Sequence, residues 1–314
     1  MLAFVFPGQG AHRVGMGRAL AEAYPEARAV FDEADRAFGR SASGRALTEI
    51  IFDGPEEELV LTEHAQPAIL AVSVAAHRVL EGRGLQPAIV AGHSLGEYSA
   101  HVAAGTIGLG DAVATVRRRG RYMQEAVPVG VGAMAAILGA DLDTVRRACE
   151  EAADGEVVSP ANMNGGGQVV IAGHAGAVTR ACERAKALGA RKAMMLSVSA
   201  PFHCALMRPA EDRLAPELRG LPTRAPRVPV VANVDAEPKL DAAAAIEALV
   251  RQVSAPVRWD AVVMRLAAEG VTTFVEVGPG KALTGMIKRI RPEARLASFE
   301  GPDGLAAVED TCSN

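Results

Sequence analysis

Residues 2 to 6, LAFVF, form an unbroken apolar run stopped by Pro7-Gly8, the pattern of a strand buried on both faces that ends in a turn. From about residue 16 to residue 82, apolar positions recur at helical spacing, broken at Gly39 to Gly44 and at Asp53-Gly54-Pro55. A second buried run, AIVAG at 88 to 92, leads straight into HSLGEYSAHVAAG, whose small and apolar residues are helically spaced, and a further helix is predicted from about 110 to 126. Strand, sharp turn, helix is the unit of an α/β fold.

The pattern then changes. After Pro128-Val129-Gly130, strand signals at 132 to 139 and at EVVSPANMN and QVVIAG, joined through Gly165 to Gly167, alternate with helical ones at 141 to 153, capped by Asp141, and at 175 to 189; a last strand is predicted at 192 to 199. The order β-α-β-β-α-β is that of a ferredoxin-like unit. Beyond it, VPVVANV (228 to 234) and TTFVEVG (272 to 278) read as strands among helices, with 241 to 250 a strong helix former. The expected architecture is therefore a large α/β lobe, residues 1–129 and 198–314, with a small ferredoxin-like lobe, 130–197, inserted into it.

Composition supports this organisation. The 314 residues exceed the roughly 250 to 300 at which a single core stops growing, and 49% are hydrophobic against 22% charged, which argues for a folded chain. The net charge of −4 argues against a protein that neutralises nucleic-acid phosphates. No run approaches the ~18 apolar residues of a spanning helix, and the N-terminus lacks the features of a signal peptide, so the expectation is a soluble cytoplasmic protein with neither a membrane nor a nucleic acid as partner. Cys149, Cys182, Cys204 and Cys312 are scattered without CxxC or His at metal spacing, which indicates neither a disulfide framework nor a metal site.

Gly92-His93-Ser94-Leu95-Gly96 fits G-x-S-x-G in the context that motif needs, a buried strand before it and a helix after. Its glycines permit a turn sharp enough to expose Ser94, and the Leu95 N–H at the helix N-terminus can meet a developing oxyanion. A plainer reading stays open, because Ser94-Leu95-Gly96-Glu97 is also a capping box. A serine nucleophile needs a base. Of seven histidines, His93 is expected to point away from Ser94 and His77 and His101 lie in helical patterns, whereas His203, in SAPFHC, falls where the chain returns from the small lobe. Spacing alone does not choose it. Neither does a late acid complete the usual hydrolase order of Ser, acid, His, which weakens an ordinary esterase reading.

Both nucleotide-loop fingerprints fail at Gly8 to Gly15, yet the Gly8-Gln9-Gly10 turn follows the first strand and could bring a second backbone N–H to Ser94. Arg117, Arg118, Arg119 and Arg121 form a basic run on one helix; most read as a solvated face, but residues two apart do not share a face, so at least one should turn inward and require an anion.

Taken together, FVFPGQGAHRVGMG (4 to 17), GHSLGEYSA (92 to 100), RRGRYMQEAVPVGVGAMAAI (118 to 137), GQVVIAG (167 to 173), APFHCALM (200 to 207) and FVEVGPGKALTGMIKR (274 to 289) resemble the malonyl-CoA:acyl carrier protein transacylases of fatty-acid and polyketide synthesis over essentially the whole chain. The resemblance implies a hydrolase-like α/β core with a parallel sheet and an inserted ferredoxin-like subdomain. It implies Ser94 as the acylated nucleophile, His203 as its base, Gln9 and Leu95 as oxyanion-hole N–H donors, Arg119 as a clamp for the malonyl carboxylate, and the Gln252 main-chain carbonyl as the group that orients the histidine. Asn162, Gln66 and Phe202 match positions near the substrate. The implied partners are malonyl-CoA and the phosphopantetheine arm of an acyl carrier protein, with no cofactor beyond the CoA thioester substrate, and the family leans monomeric. Leu95 and Phe202 resemble malonyl-selecting enzymes; Phe202, where fatty-acid enzymes often carry Ser, and Asn164-Gly165-Gly166-Gly167-Gln168 lean towards a polyketide pathway. An editing hydrolase of acyl carrier protein thioesters on the same fold is the alternative, against which the retained Arg119 argues. Because carrier proteins are typically acidic, the −4 charge calls for local basic groups, and Arg191, Lys192, Lys281, Lys288 and Arg289 are the candidates.

Overall fold

The computed structural model describes residues 1–313. The chain enters on β1 (Leu2–Phe6) and runs through α1 (Arg18–Ala23), α2 (Pro25–Phe38), α3 (Leu47–Asp53), α4 (Glu56–Leu59) and α5 (Thr62–Gly82) before β2 (Ile89–Gly92), α6 (Gly96–Ala103) and α7 (Leu109–Ala126). The small lobe follows as β3 (Gly132–Leu138), α8 (Leu142–Ala152), β4 (Val158–Gly165), β5 (Gln168–His174), α9 (Ala175–Ala187) and β6 (Lys192–Met195). The return path comprises α10 (Arg208–Arg219), β7 (Val230–Val231), β8 (Pro238–Lys239), α11 (Ala242–Gln252), α12 (Trp259–Ala268), β9 (Thr273–Val277), α13 (Ala282–Ile290), β10 (Arg295–Phe299) and α14 (Leu305–Ser313).

The large sheet has the order β10-β9-β1-β2-β7-β8, parallel except for the β7–β8 pair. Its central strands are buried on both faces, which is why LAFVF and AIVAG read as continuous apolar runs. Alternate residues serve two cores: Phe4, Phe6 and Val90 pack with α2, α5 and α7, whereas Ala3, Val5, Ile89 and Ala91 pack with α12 and α13 around Trp259. β1 is the switch point of this sheet, and β1 and β2 deliver their C-terminal ends side by side.

The small sheet, β4-β5-β3-β6, is antiparallel throughout, the ferredoxin-like order. Ile137, Val145, Cys149, Val169, Ile171 and Val178 form its own core with α8 and α9. Its opposite face, including Met134, Ala136, Val170 and Ala172, joins the large-lobe core. The inserted unit is thus sandwiched between its own helices and the large lobe.

Several element boundaries differ from the expected ones. The strand predicted at 192 to 199 stops at Met195, and residues 196 to 199 leave the sheet to line the cleft. VPVVANV shrinks to Val230–Val231 because Asn233 turns its backbone and side chain to the Ser94 turn and Glu97. Among the described residues, no helix is long and apolar enough to cross a membrane, and no His, Cys, Asp and Glu cluster could hold a metal ion.

Candidate active site

A cleft of about 420 Å³ opens between the lobes, with Gln9, Ser94, Arg119 and His203 on the large-lobe side and Met134 and Asn162 on the other. The turn between β2 and α6 forms it. Ser94 has φ 52, a left-handed conformation unusual for serine, and the chain doubles back so closely that Cβ atoms would lie 1.9 Å from the Gly96 carbonyl carbon at Gly92 and 2.0 Å from the Phe6 oxygen at Gly96. Both motif glycines are therefore dictated by close approach. Asn233 holds the turn, accepting from the Ser94 N–H at 2.7 Å and donating to the Gly92 carbonyl at 2.7 Å.

The Ser94 hydroxyl lies 2.6 Å from His203 Nε2, and His203 Nδ1 lies 3.0 Å from the Gln252 carbonyl and 3.2 Å from that of Ala255. Carbonyls only accept, so Nδ1 carries the proton, Nε2 is the acceptor and Ser94 the donor. Burial, and then the positive Arg119 nearby, push His203 down to about 3, which keeps the imidazole neutral, with Nε2 free to accept from the Ser94 hydroxyl. His203 itself has φ 60. The missing acid is explained: two main-chain carbonyls occupy its place. The capping-box alternative is not what the structure holds, since α6 has no side-chain cap and Ser94 bonds His203 instead.

Of the four arginines on α7, three follow the plain reading: Arg117 stacks 4.0 Å over the Phe38 ring, Arg118 pairs with Glu217, and Arg121 lies 3.9 Å from Glu125. Arg119 is the inward one, 1% exposed, and forms no ion pair among the described residues. Its Nη1 donates to Gln66 Oε1 at 2.8 Å and its Nη2 to Gln252 Oε1 at 2.9 Å, with the Ser94 hydroxyl 3.4 Å away, while Nε has no acceptor. Desolvation lowers its pKa. A cleft-lining guanidinium hydrogen-bonded only to neutral groups has the chemistry to receive an anion beside the serine.

Gln9 and Leu95 flank Ser94, and no acceptor takes either backbone N–H among the described residues. Gln66, Asn162 and Phe202 all line the cleft. His93 departs from the expectation that it points away: it too lines the cleft, but its Nε2 meets Asn164 Oδ1 at 3.0 Å and its ring packs edge-on to Trp259, so it ties the lobes together without bonding the nucleophile. His77 and His101 are buried core histidines whose ring nitrogens have no hydrogen-bond partner among the described residues, and burial pushes them down to about 4 and about 3.

Three groups escaped the sequence reading. Ala255 supplies a carbonyl to His203, Asn233 holds the turn, and Glu97 accepts from Gln252 Nε2 at 2.7 Å and from the Asn233 N–H at 3.0 Å. Only Glu97 left a trace, as a carboxylate three residues after Ser94, and there the helix-capping rule supplied a competing explanation.

Residues 3–296 match the model of the acyl transferase domain. The chain is 52% identical to the malonyl CoA-acyl carrier protein transacylase of Escherichia coli (strain K12), covering 98% of each chain, and 45% identical to that of Bacillus subtilis (strain 168), covering 99% of this chain and 96% of the other. Its fold superposes with a TM-score of 0.94 on an acyl carrier protein S-malonyltransferase from Vibrio cholerae, 48% identical over 98% of this chain and 99% of that one. The same score, at 47% identity over 98% and 99% of the two chains, relates it to a malonyl-transacylase solved in complex with a type II polyketide synthase acyl-carrier protein. The elbow serine, its histidine and the buried arginine thus sit in a chain that belongs to the acyl transferase domain family.

Proposed function

We propose that this enzyme moves a malonyl group from malonyl-CoA to the phosphopantetheine thiol of an acyl carrier protein through a malonyl ester of Ser94. The observation that carries the reading is a buried guanidinium without a direct ion pair among the described residues, 3.4 Å from a serine hydroxyl that is itself 2.6 Å from a neutral histidine. One carboxylate and one acyl carbon, held a short distance apart, describe malonate.

In the first half-reaction Ser94 Oγ attacks the thioester carbonyl while its proton passes to His203 Nε2. The oxyanion is met by the N–H groups of Gln9 and Leu95. Collapse breaks the carbon–sulfur bond, and the CoA thiolate recovers the proton from His203. The second half-reaction reverses these steps with the carrier thiol: it yields its proton to His203, attacks the ester carbonyl, and Ser94 leaves with that proton. The Gln252 and Ala255 carbonyls steady the transient imidazolium.

Arg119 takes the malonyl carboxylate, and an acetyl group in its place leaves the guanidinium unpaired. Gln66, Asn162 and Phe202 shape the acyl site. For docking of an acidic carrier, the β4–β5 turn is the candidate: Arg191 packs against Gly139, whose N–H donates to Gly167 O at 2.8 Å, and Arg289 donates to Gln168 at 2.8 Å, so two arginines from different elements meet there.

Labelled malonyl-CoA, given with and without a phosphopantetheinylated carrier protein, tests the proposal. The expected result is label on the enzyme that moves to the carrier. Free malonate with an unlabelled carrier would instead indicate an editing hydrolase.

A further inference from the structure

Two glutamates are wholly buried, Glu276 and Glu97. Glu276 is fully used, accepting from the Leu283 and Thr284 N–H groups and the Thr284 hydroxyl at the start of α13. Glu97 is different. It lies beneath the Ser94 turn, one oxygen accepts from both Gln252 Nε2 and the Asn233 N–H, and the other has no partner among the described residues. A buried carboxylate this sparsely paired is costly, and a neutral residue of similar shape would fill the same space.

Its neighbours show what it orders. The Gln252 amide touches three groups at once: Nε2 faces Glu97 at 2.7 Å and the Ser94 carbonyl at 2.9 Å, while Oε1 faces Arg119 Nη2 at 2.9 Å. Two acceptors on one side and a donor on the other admit a single orientation of the amide. Without Glu97, only the Ser94 carbonyl opposes the reversed amide, which would turn an NH2 group towards the guanidinium and push it away. Through the Asn233 backbone the same carboxylate also braces the residue that holds the Ser94 N–H.

We propose that Glu97 is a positioning residue for acyl-group selection, fixing the Gln252 amide so that Arg119 is held where a malonyl carboxylate meets it. This rests on the reading of Arg119 as the carboxylate clamp. Glu97 does not touch the substrate; its effect on acyl selection runs through the Gln252 amide.

The test compares malonyl-CoA and acetyl-CoA loading, as kcat/KM, in Glu97→Leu, Glu97→Gln, Arg119→Ala and the two double variants. Glu97→Leu should lose roughly tenfold or more with malonyl-CoA and stay within about threefold with acetyl-CoA. Glu97→Gln keeps the shape and offers a neutral oxygen to both donors, so it should lose only about threefold, again with malonyl-CoA alone; this variant carries the test should the leucine variant not fold. Neither change should matter once Arg119 is alanine. A loss shared equally by acetyl-CoA, no loss in Glu97→Gln together with none in Glu97→Leu, or a loss of full size without Arg119 overturns the proposal. If Arg119→Ala itself leaves the malonyl preference intact, the clamp reading fails and this inference falls with it; if Arg119→Ala is selective and the Glu97 variants are not, only the inference falls.

Discussion

Ser94 and His203 share an uncommon feature, positive φ angles of 52 and 60 in residues that are not glycine. Such strain persists where the surroundings over-determine it, and here the Asn233 bonds hold one residue while the Gln252 and Ala255 carbonyls hold the other. The consequence for acidity is direct. Because His203 is pushed from 6.5 down to about 3, the base stays unprotonated as pH falls through the ordinary histidine range. Acetyl loading of the free enzyme, which does not draw on the Glu97 carboxylate that burial pushes up to about 7, should therefore stay flat from about pH 8 to pH 5 when followed as kcat/KM by rapid quench; an acid limb centred near 6.5 would contradict a buried neutral dyad. Sequence motifs made Ser94 legible, since a strand, two glycines and a helix leave the elbow few alternatives. His203 and Arg119 were not separable from their neighbours by spacing: each is one of several histidines or arginines, and what distinguishes them, burial for Arg119 and contact with the Ser94 hydroxyl for His203, is a property of the folded chain.

Among the elements, α11 matters most to the chemistry for its length, because it ends at Gln252, whose carbonyl and side chain reach His203, Arg119 and Ser94. Its start is set by Asp241, which accepts from the Ala244 N–H at 2.8 Å. Asp241→Ala should cost about 1 kcal/mol in urea unfolding with the denaturant slope unchanged; a cost near zero would mean that tertiary packing alone fixes the helix. Helices and the long apolar strands were readable because periodicity and caps are local, and the Asp141 cap on α8 is seen as expected. The edge strands were not. β10 owes its assignment to Thr273–Val277, a partner beyond α13, β8 is a two-residue strand set only by its pairing with Val230–Val231, and β7 ends early because Asn233 is recruited to the elbow. Local pattern carries no information about such recruitment.

For the whole molecule, a −4 chain that serves an acidic carrier has to concentrate its positive charge. Lys192 and Lys288 are exposed on the two lobes that border the cleft. Charge reversal at both, Lys192→Glu with Lys288→Glu, should raise the KM for carrier protein by about tenfold or more and reduce its dependence on salt; an unchanged KM would move the docking surface elsewhere. The two-lobe design also explains why residues 109 apart meet: β1 and β2 present the elbow, the small lobe departs after α7, and the chain returns at His203 to close the dyad. The measurement that bears most directly on this account is a brief reaction with malonyl-CoA, acid quench, digestion and mass spectrometry of the peptides, with a parallel sample chased by carrier protein. One malonyl group should appear on the peptide bearing Ser94 and vanish only when the carrier thiol is supplied. A malonyl group on another residue, or none while transfer proceeds, would contradict it.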